Sequence, residues 1–158
     1  MVWKPHVTVA SIIERDHRFL MVEERVAEGY VINQPAGHLD EGETLVEAAI
    51  RETLEETAWS FAPEAIVGIY LWRHPRHGQT FLRTCFCGAG VCHHPERGLD
   101  ADIVRTIWLS REELGAARER LRSPMVLSTI DDYLAGIRYP LALLQSLISS
   151  TEASWQLK

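Results

Sequence analysis

Residues 37–59 read GHLDEGETLVEAAIRETLEETAW. Seven of the chain's 22 acidic residues fall in this stretch, between Asp40 and Glu56. Thr44 followed by Glu47 is the capping-box pattern that opens a helix, and no glycine or proline interrupts the chain from Leu45 until Pro63. At about 100° per residue, Val46, Ile50, Thr53 and Thr57 line one face, with Ala49 and Leu54 at its borders; that face is expected to pack on a sheet. Glu52, Glu55 and Glu56 fall on a different arc with Ala48 in its middle, where a small side chain leaves room for the preceding loop. Arg51 stands four residues from both Glu47 and Glu55 and can pair with either. Like charges at helical spacing cost about 0.2–0.5 kcal/mol per pair. A divalent cation would be a reason to bunch them.

Ahead of this stretch the pattern predicts strands over His6–Ile13 and Arg18–Glu24, turning at Asp16-His17, and a short third strand over Tyr30–Asn33. Asn33-Gln34-Pro35-Ala36-Gly37 is expected to break regular structure, with Gly37 in a turn that brings its backbone close to a ligand. Beyond it, Ala65–Trp72 and Thr80–Cys87 read as strands joined through Arg73–Gln79. A polar loop follows Cys92, then a strand around Arg105–Leu109. Ser110 caps a predicted helix to about Leu121. Pro124 opens another, with Met125, Ile130, Tyr133 and Leu134 as candidate core and Gly136 as its end. Pro140 starts a last helical piece, and residues 150–158 read as a fraying tail. Strands mixed with helices predict an α/β fold with a mixed β-sheet between helical layers. The length fits a single domain over 1–158, with a helical C-terminal segment at about 123–150.

Composition excludes several classes. The net charge of −6 argues against non-specific nucleic-acid binding. It leaves phosphorylated small molecules open, because bound cations reverse a local field. No run of 18 apolar residues exists to span a membrane, and the first residues lack a signal-peptide pattern. A cytoplasmic location is expected. Cys85, Cys87 and Cys92 are an odd set, which disfavours a disulfide framework. With His93 and His94 they suggest zinc only loosely, since the spacing matches no closed zinc pattern. Cys85 and Cys87, two apart on a strand, should both face a core.

Gly37, with its carbonyl, and the carboxylates of Glu52, Glu55 and Glu56 form a set of hard oxygen donors. That is Mg²⁺ chemistry, with Mn²⁺ able to substitute. Such a site polarises a phosphoryl oxygen and activates water for attack on a phosphoanhydride. The spacing Gly37, five residues, Glu43, seven residues, Arg51-Glu52-x-x-Glu55-Glu56 resembles the Nudix box of the Nudix hydrolases. The resemblance implies an α/β/α sandwich with a catalytic loop–helix and Mg²⁺-dependent hydrolysis of nucleoside diphosphates linked to another group. It implies metal ligation by Glu52, Glu56, Glu55 and the Gly37 carbonyl. Glu55 is a further ligand or the base, Arg51 holds the carboxylates in place, and Glu43 supports the loop–helix junction. Thr53, Ala58 and Trp59 depart from the usual box. Ala58 stands where glycine is usual, so the helix end is expected to differ.

Further stretches resemble the phosphatase NudJ subgroup: Asn33–Leu39, Glu43–Ala49, Phe81-Leu82-Arg83, Leu121–Pro124 and Arg138–Leu141. This implies orthophosphate release from nucleoside di- and triphosphates, and hydrolysis of hydroxymethylpyrimidine pyrophosphate and thiamine pyrophosphate. The alternatives are a Nudix enzyme for a dinucleotide or nucleotide sugar, and a non-catalytic ligand-binding module. The whole acid set speaks against the second.

Outside the box, Asp100 and Asp102 are candidates for an extra acid near the metals, against a turn role, and Glu96 is a weaker one. Arg83 interrupts an apolar strand and either reaches pyrophosphate oxygens or faces solvent. Trp72, with Arg73 and His74, offers a stacking face or belongs to the core, and Gln34 offers a contact to a base edge. Arg122 and Arg138 read as structural, and His6 and His38 as ordinary strand and loop residues. The sequence leaves monomer and homodimer equally open.

Overall fold

Strand β1 (His6–Ile12) is buried at every position from Thr8 onward because both of its faces are covered. Val9 turns to one side, and Ala10 and Ile12 to the other. It is followed by β2 (Glu14–Arg15), β3 (Arg18–Val26), β4 (Gly29–Asn33) and β5 (Ala36–His38). Next come α1 (Leu45–Thr57), β6 (Trp59–Arg73), β7 (Thr80–His93) and β8 (Ile103–Leu109), then α2 (Arg111–Ala116) and α3 (Met125–Leu134). The computed structural model describes residues 1–148. Residues 149–158, which hold the expected fraying tail and the end of the expected C-terminal helical segment, lie outside the described residues.

The strands form two sheets where the sequence suggested one mixed sheet. The first has the order β5-β1-β7-β6 and is mixed, since β1 and β7 run parallel while the other pairs are antiparallel. In the second, β3 pairs antiparallel with β2, β4 and β8. Two apolar clusters fill the spaces around them. One joins Ala10, Ile12 and Met21 to Leu114 of α2 and Val126 and Ile130 of α3; the other joins Val9, Leu20 and Phe86 to Ala48 and Ala49 of α1. The arrangement is an α/β/α sandwich, and the strand period of two explains how each strand serves both clusters. Cys85 and Cys87 face the first cluster and Phe86 the second, as their spacing requires.

Local signals were reliable. Asp16 and His17 have φ of 50° and 60°, the conformation of a tight hairpin turn between β2 and β3. Thr44 and Glu47 close the capping box on α1, and Ser110 and Glu113 close another on α2. Other expectations need correction. Gly37 lies inside β5, opposite Val9, and the break in structure is confined to Gln34-Pro35. Strands β6 and β7 run past the expected limits at Ala65 and Cys87, through Pro63 and Gly88. Pro63 sits at a shift in register, where a missing N–H is tolerated. Gly88 is needed because a Cβ there would overlap the Ala62 carbonyl.

Helix α1 is rolled relative to its apolar pattern. Ala48, Ala49, Thr53 and Thr57 are buried while Ile50 lies at the exposed border. Thr53 Oγ1 donates to Ser11 Oγ at 2.8 Å, which draws the helix close to β1. Helix α2 ends early and passes into a 3₁₀ turn at Arg118–Arg120, because Leu121 bridges to Ile32 of β4. In α3, Met125 and Ile130 are buried but Leu134 is exposed. Past Gly136, the backbone of Tyr139 exchanges two hydrogen bonds with Ile66. That bridge leaves only a 3₁₀ turn at Leu141–Leu143 where a last helix was expected.

Candidate active site

Helix α1 starts firmly at its capping box and carries Glu52, Glu55 and Glu56 two to three turns later. Their carboxylates meet β5 on one side and the loop before β8 on the other. Glu52 lies directly over Gly37, whose missing side chain makes room for the carboxylate. Glu56 is almost fully buried, and its Oε2 accepts a hydrogen bond from the Ala36 N–H at 3.0 Å. Asp100 arrives from the loop, fixed by its N–H donating to the Glu55 carbonyl at 3.0 Å. Glu52, Glu55 and Asp100 each offer one oxygen, and these oxygens all lie within 4.8 Å of one another. Asp102 lines the same cleft but stands outside that group. Among the described residues this is the one such cluster, so the cysteine–histidine stretch does not form a comparable one.

Arg51 organises the acids. Its Nη1 donates to Glu52 Oε1 at 2.8 Å and to Glu55 Oε2 at 3.2 Å. Its Nε and Nη2 donate to Glu43 at 3.0 and 2.6 Å, and Nη2 also to the His38 carbonyl at 2.9 Å. Glu47 is not a partner, contrary to its spacing, because its carboxylate caps Thr44. Glu43 instead reaches Arg51 from the loop and also accepts the Asp40 N–H at 2.8 Å. Glu43 therefore ties the loop to the helix.

The electrostatics fit a site built for a cation. Burial raises the pKa of Glu52, opposed by Arg51. Burial, reinforced by the neighbouring Glu24, pushes Glu56 up to about 9. Crowded, partly desolvated carboxylates resist ionisation unless positive charge arrives. All the donors are carboxylate or carbonyl oxygens, the set preferred by Mg²⁺ and Mn²⁺. The residues present fit such an ion.

Glu52, Glu56 and Asp100 line a cleft of about 1320 Å³ that also includes Thr8, Glu24, Trp72, Phe81, Arg83 and Arg122. Trp72 stacks on Phe81 at 5.8 Å and Phe81 on His6 at 5.1 Å, so Trp72 belongs to an aromatic row at the cleft wall. Arg83 is buried, not facing solvent. Gln34 is brought elsewhere: it is fully buried and donates to Thr129 Oγ1 at 2.6 Å, so it is not free to read a base edge. Arg138 lies over the Tyr133 ring and bonds nearby carbonyls, a structural position. Arg122 combines two settings, pairing with Glu24 at 3.2 Å at the cleft margin.

Sequence reasoning missed Glu24 and Thr8. The signal was parity. Glu24 continues the inward-facing register of Leu20 and Val22 on β3, and Thr8 that of Ala10 and Ile12 on β1. A polar residue at an inward position of a buried strand marks a site or a network. A smaller hollow of about 350 Å³, lined by Ile66, Tyr70 and Tyr139 among others, contains none of the clustered acids.

A family model described as the NUDIX domain matches residues 4–128. The phosphatase NudJ of Escherichia coli strain K12 is 42% identical over 143 residues, covering 90% of this chain and 92% of that protein. A NUDIX hydrolase structure from Nitrosomonas europaea superposes with a TM-score of 0.90 at 47% identity, covering 93% of this chain and 100% of that one. The NUDIX domain of Shewanella oneidensis NrtR, complexed with ADP ribose, has a TM-score of 0.66 at 15% identity over 85% of this chain and 90% of its own, and speaks for the fold alone.

Proposed function

The chain belongs to the Nudix family and is a hydrolase of phosphoanhydride bonds; from this premise we propose that it is a Mg²⁺-dependent phosphatase of the NudJ type. It releases orthophosphate from nucleoside di- and triphosphates, with hydroxymethylpyrimidine pyrophosphate and thiamine pyrophosphate as further substrates, and works in the cytoplasm. The observation that carries the reading is the convergence of Glu52, Glu55 and Asp100 on one point of the cleft.

Glu52, Glu55, Glu56 and Asp100 would hold the cation, with the Gly37 carbonyl contributing a lone pair left over from its sheet pairing. When bound, the cation supplies a Lewis acid at a phosphoryl oxygen. Arg51 keeps the Glu52 and Glu55 carboxylates aimed at the site through its shared Nη1. The Ala36 N–H holds Glu56 in its buried position. Glu55, more exposed than Glu52, serves as a further ligand or as the base for the attacking water. The row Trp72, Phe81 and His6 offers its rings to a flat base or heterocycle.

A phosphate-release screen across nucleotides and thiamine intermediates in Mg²⁺ tests this. Glu56→Gln should lower turnover by more than about 100-fold, beyond the loss typical of outer-shell partners. Unchanged turnover would overturn the metal assignment. A second reading, a dinucleotide or nucleotide sugar as substrate, is favoured by the cleft volume, which exceeds the roughly 300–1,000 Å³ of ordinary ligand sites. Two nucleoside or sugar monophosphates as products, without orthophosphate, would select it.

A further inference from the structure

Three buried polar atoms on one face of the first sheet lack a hydrogen-bond partner: Thr8 Oγ1, Arg83 Nε and Arg83 Nη1. They are neighbours. Thr8 on β1 and Arg83 on β7 stand opposite each other in the parallel register, and both line the cleft that contains Glu52, Glu56 and Asp100. Arg83 is 5% exposed, so water does not readily replace the missing acceptors.

The neighbouring side chains make their hydrogen bonds to other partners. Glu24 receives Asn33 Nδ2 at 3.5 Å and Arg122 Nη1 at 3.2 Å. Glu56 receives the Ala36 N–H. Tyr70, across from Arg83 on β6, turns its hydroxyl to Asp132 Oδ2 at 2.7 Å. Burial disfavours the Arg83 charge more than the nearby Glu24 and Glu56 favour it, so both its charge and its hydrogen bonding call for a partner. Buried donors are rarely left this way in native structures, so these call for a partner from outside the chain.

The ligand must bring several acceptor oxygens and negative charge to a guanidinium and a hydroxyl. A phosphoryl group meets both demands, and arginine suits it better than lysine. We propose that Arg83 and Thr8 form a phosphoryl-binding pocket on the cleft floor. It takes a phosphoryl group of the same diphosphate that the acid cluster engages, and so fixes which phosphorus the water attacks. The assignment rests on reading the cleft as a phosphoanhydride site.

The test is calorimetric titration with imidodiphosphate in Mg²⁺, using wild type, R83M, R83K and T8V, with melting temperatures recorded for each. Arg83→Met should weaken binding at least about tenfold and raise KM more than it lowers kcat. Arg83→Lys should recover part of the loss, and Thr8→Val should cost about threefold. Wild-type affinity in a folded R83M protein, or no binding by wild type, would overturn the pocket. Should R83M fail to fold, unchanged affinity in T8V would overturn it instead. Hydrolysis is assayed separately on wild type. Arg83-dependent binding without turnover removes the functional reading alone, and turnover with Arg83-independent binding removes the pocket alone.

Discussion

Position 37 has no room for a side chain, and the reason differs from the one a glycine in a loop suggests. Gly37 sits within β5 and is absent from the residues of positive φ, so its backbone is open to any residue. The obstacle is steric: the Glu52 carboxylate occupies the space a Cβ would take. Gly37→Ala should force Glu52 out of line, costing about 1–3 kcal/mol from overpacking and most of the turnover. Mg²⁺ titration of the variant, followed by kcat, checks this; wild-type values for both would show that Glu52 can move aside freely. The same scale shows what the sequence could disclose. The carboxylates of α1 were legible because helical spacing alone groups them. Of the partners of Arg51, Glu55 was legible from its spacing, but the bond to Glu43 was not, since Glu43 reaches it through a loop whose course no periodicity encodes. Gln34 looked available because it lies beside the expected turn at Gly37, yet its chain segment packs under α3.

Helix α1 is the element on which the site depends, and its start, but not its end, was foreshadowed locally. Its start matches the expected capping box. Its end was expected to change because Ala58 replaces a customary glycine. Ala58 nonetheless adopts the left-handed conformation, with φ 58° and ψ 21°, and its N–H still bonds the Leu54 carbonyl. The helix therefore ends in the usual way and bears the strain, which is about 1–2 kcal/mol for a residue with a Cβ. Ala58→Gly should relieve most of it, less the entropy of a freer unfolded chain, and raise the melting temperature by about 2–4 °C. A lower melting temperature would mean that the buried Cβ packs more favourably than the strain costs. The lengths of β6 and β7 and the fate of residues 137–148 were not legible, because each is decided by a distant partner. Pro63 is tolerated only at a register shift, and Tyr139 is held by Ile66.

Over the whole molecule, buried acids couple stability to pH. In the metal-free protein Glu56 titrates near 9 against 4.5 when unfolded, with burial the main cause and Glu24 the next. A carboxyl raised in this way favours the folded state while protonated. Its contribution is fully present below the unfolded value and is lost as pH rises through the folded one. Glu24 is raised by burial as well and acts in the same direction. The EDTA-treated protein should therefore melt progressively lower between about pH 5 and pH 9. Mg²⁺ should restore more stability at the alkaline end, where the carboxylates bind it without first losing protons. A flat thermal-melt profile across that range would contradict the buried setting of Glu56. The sandwich itself was legible from strands alternating with helices, but its division into two sheets was not. Strand order depends on pairings between distant segments, and one of these has a consequence in time. Because β1 lies between β5 and β7, with His6 opposite Phe81, the first strand made cannot complete its sheet until the seventh has left the ribosome. The Glu55 carbonyl must likewise wait for Asp100. Such long loop closures slow folding, so a nascent chain halted before β7 should carry a finished α1 with no competent centre.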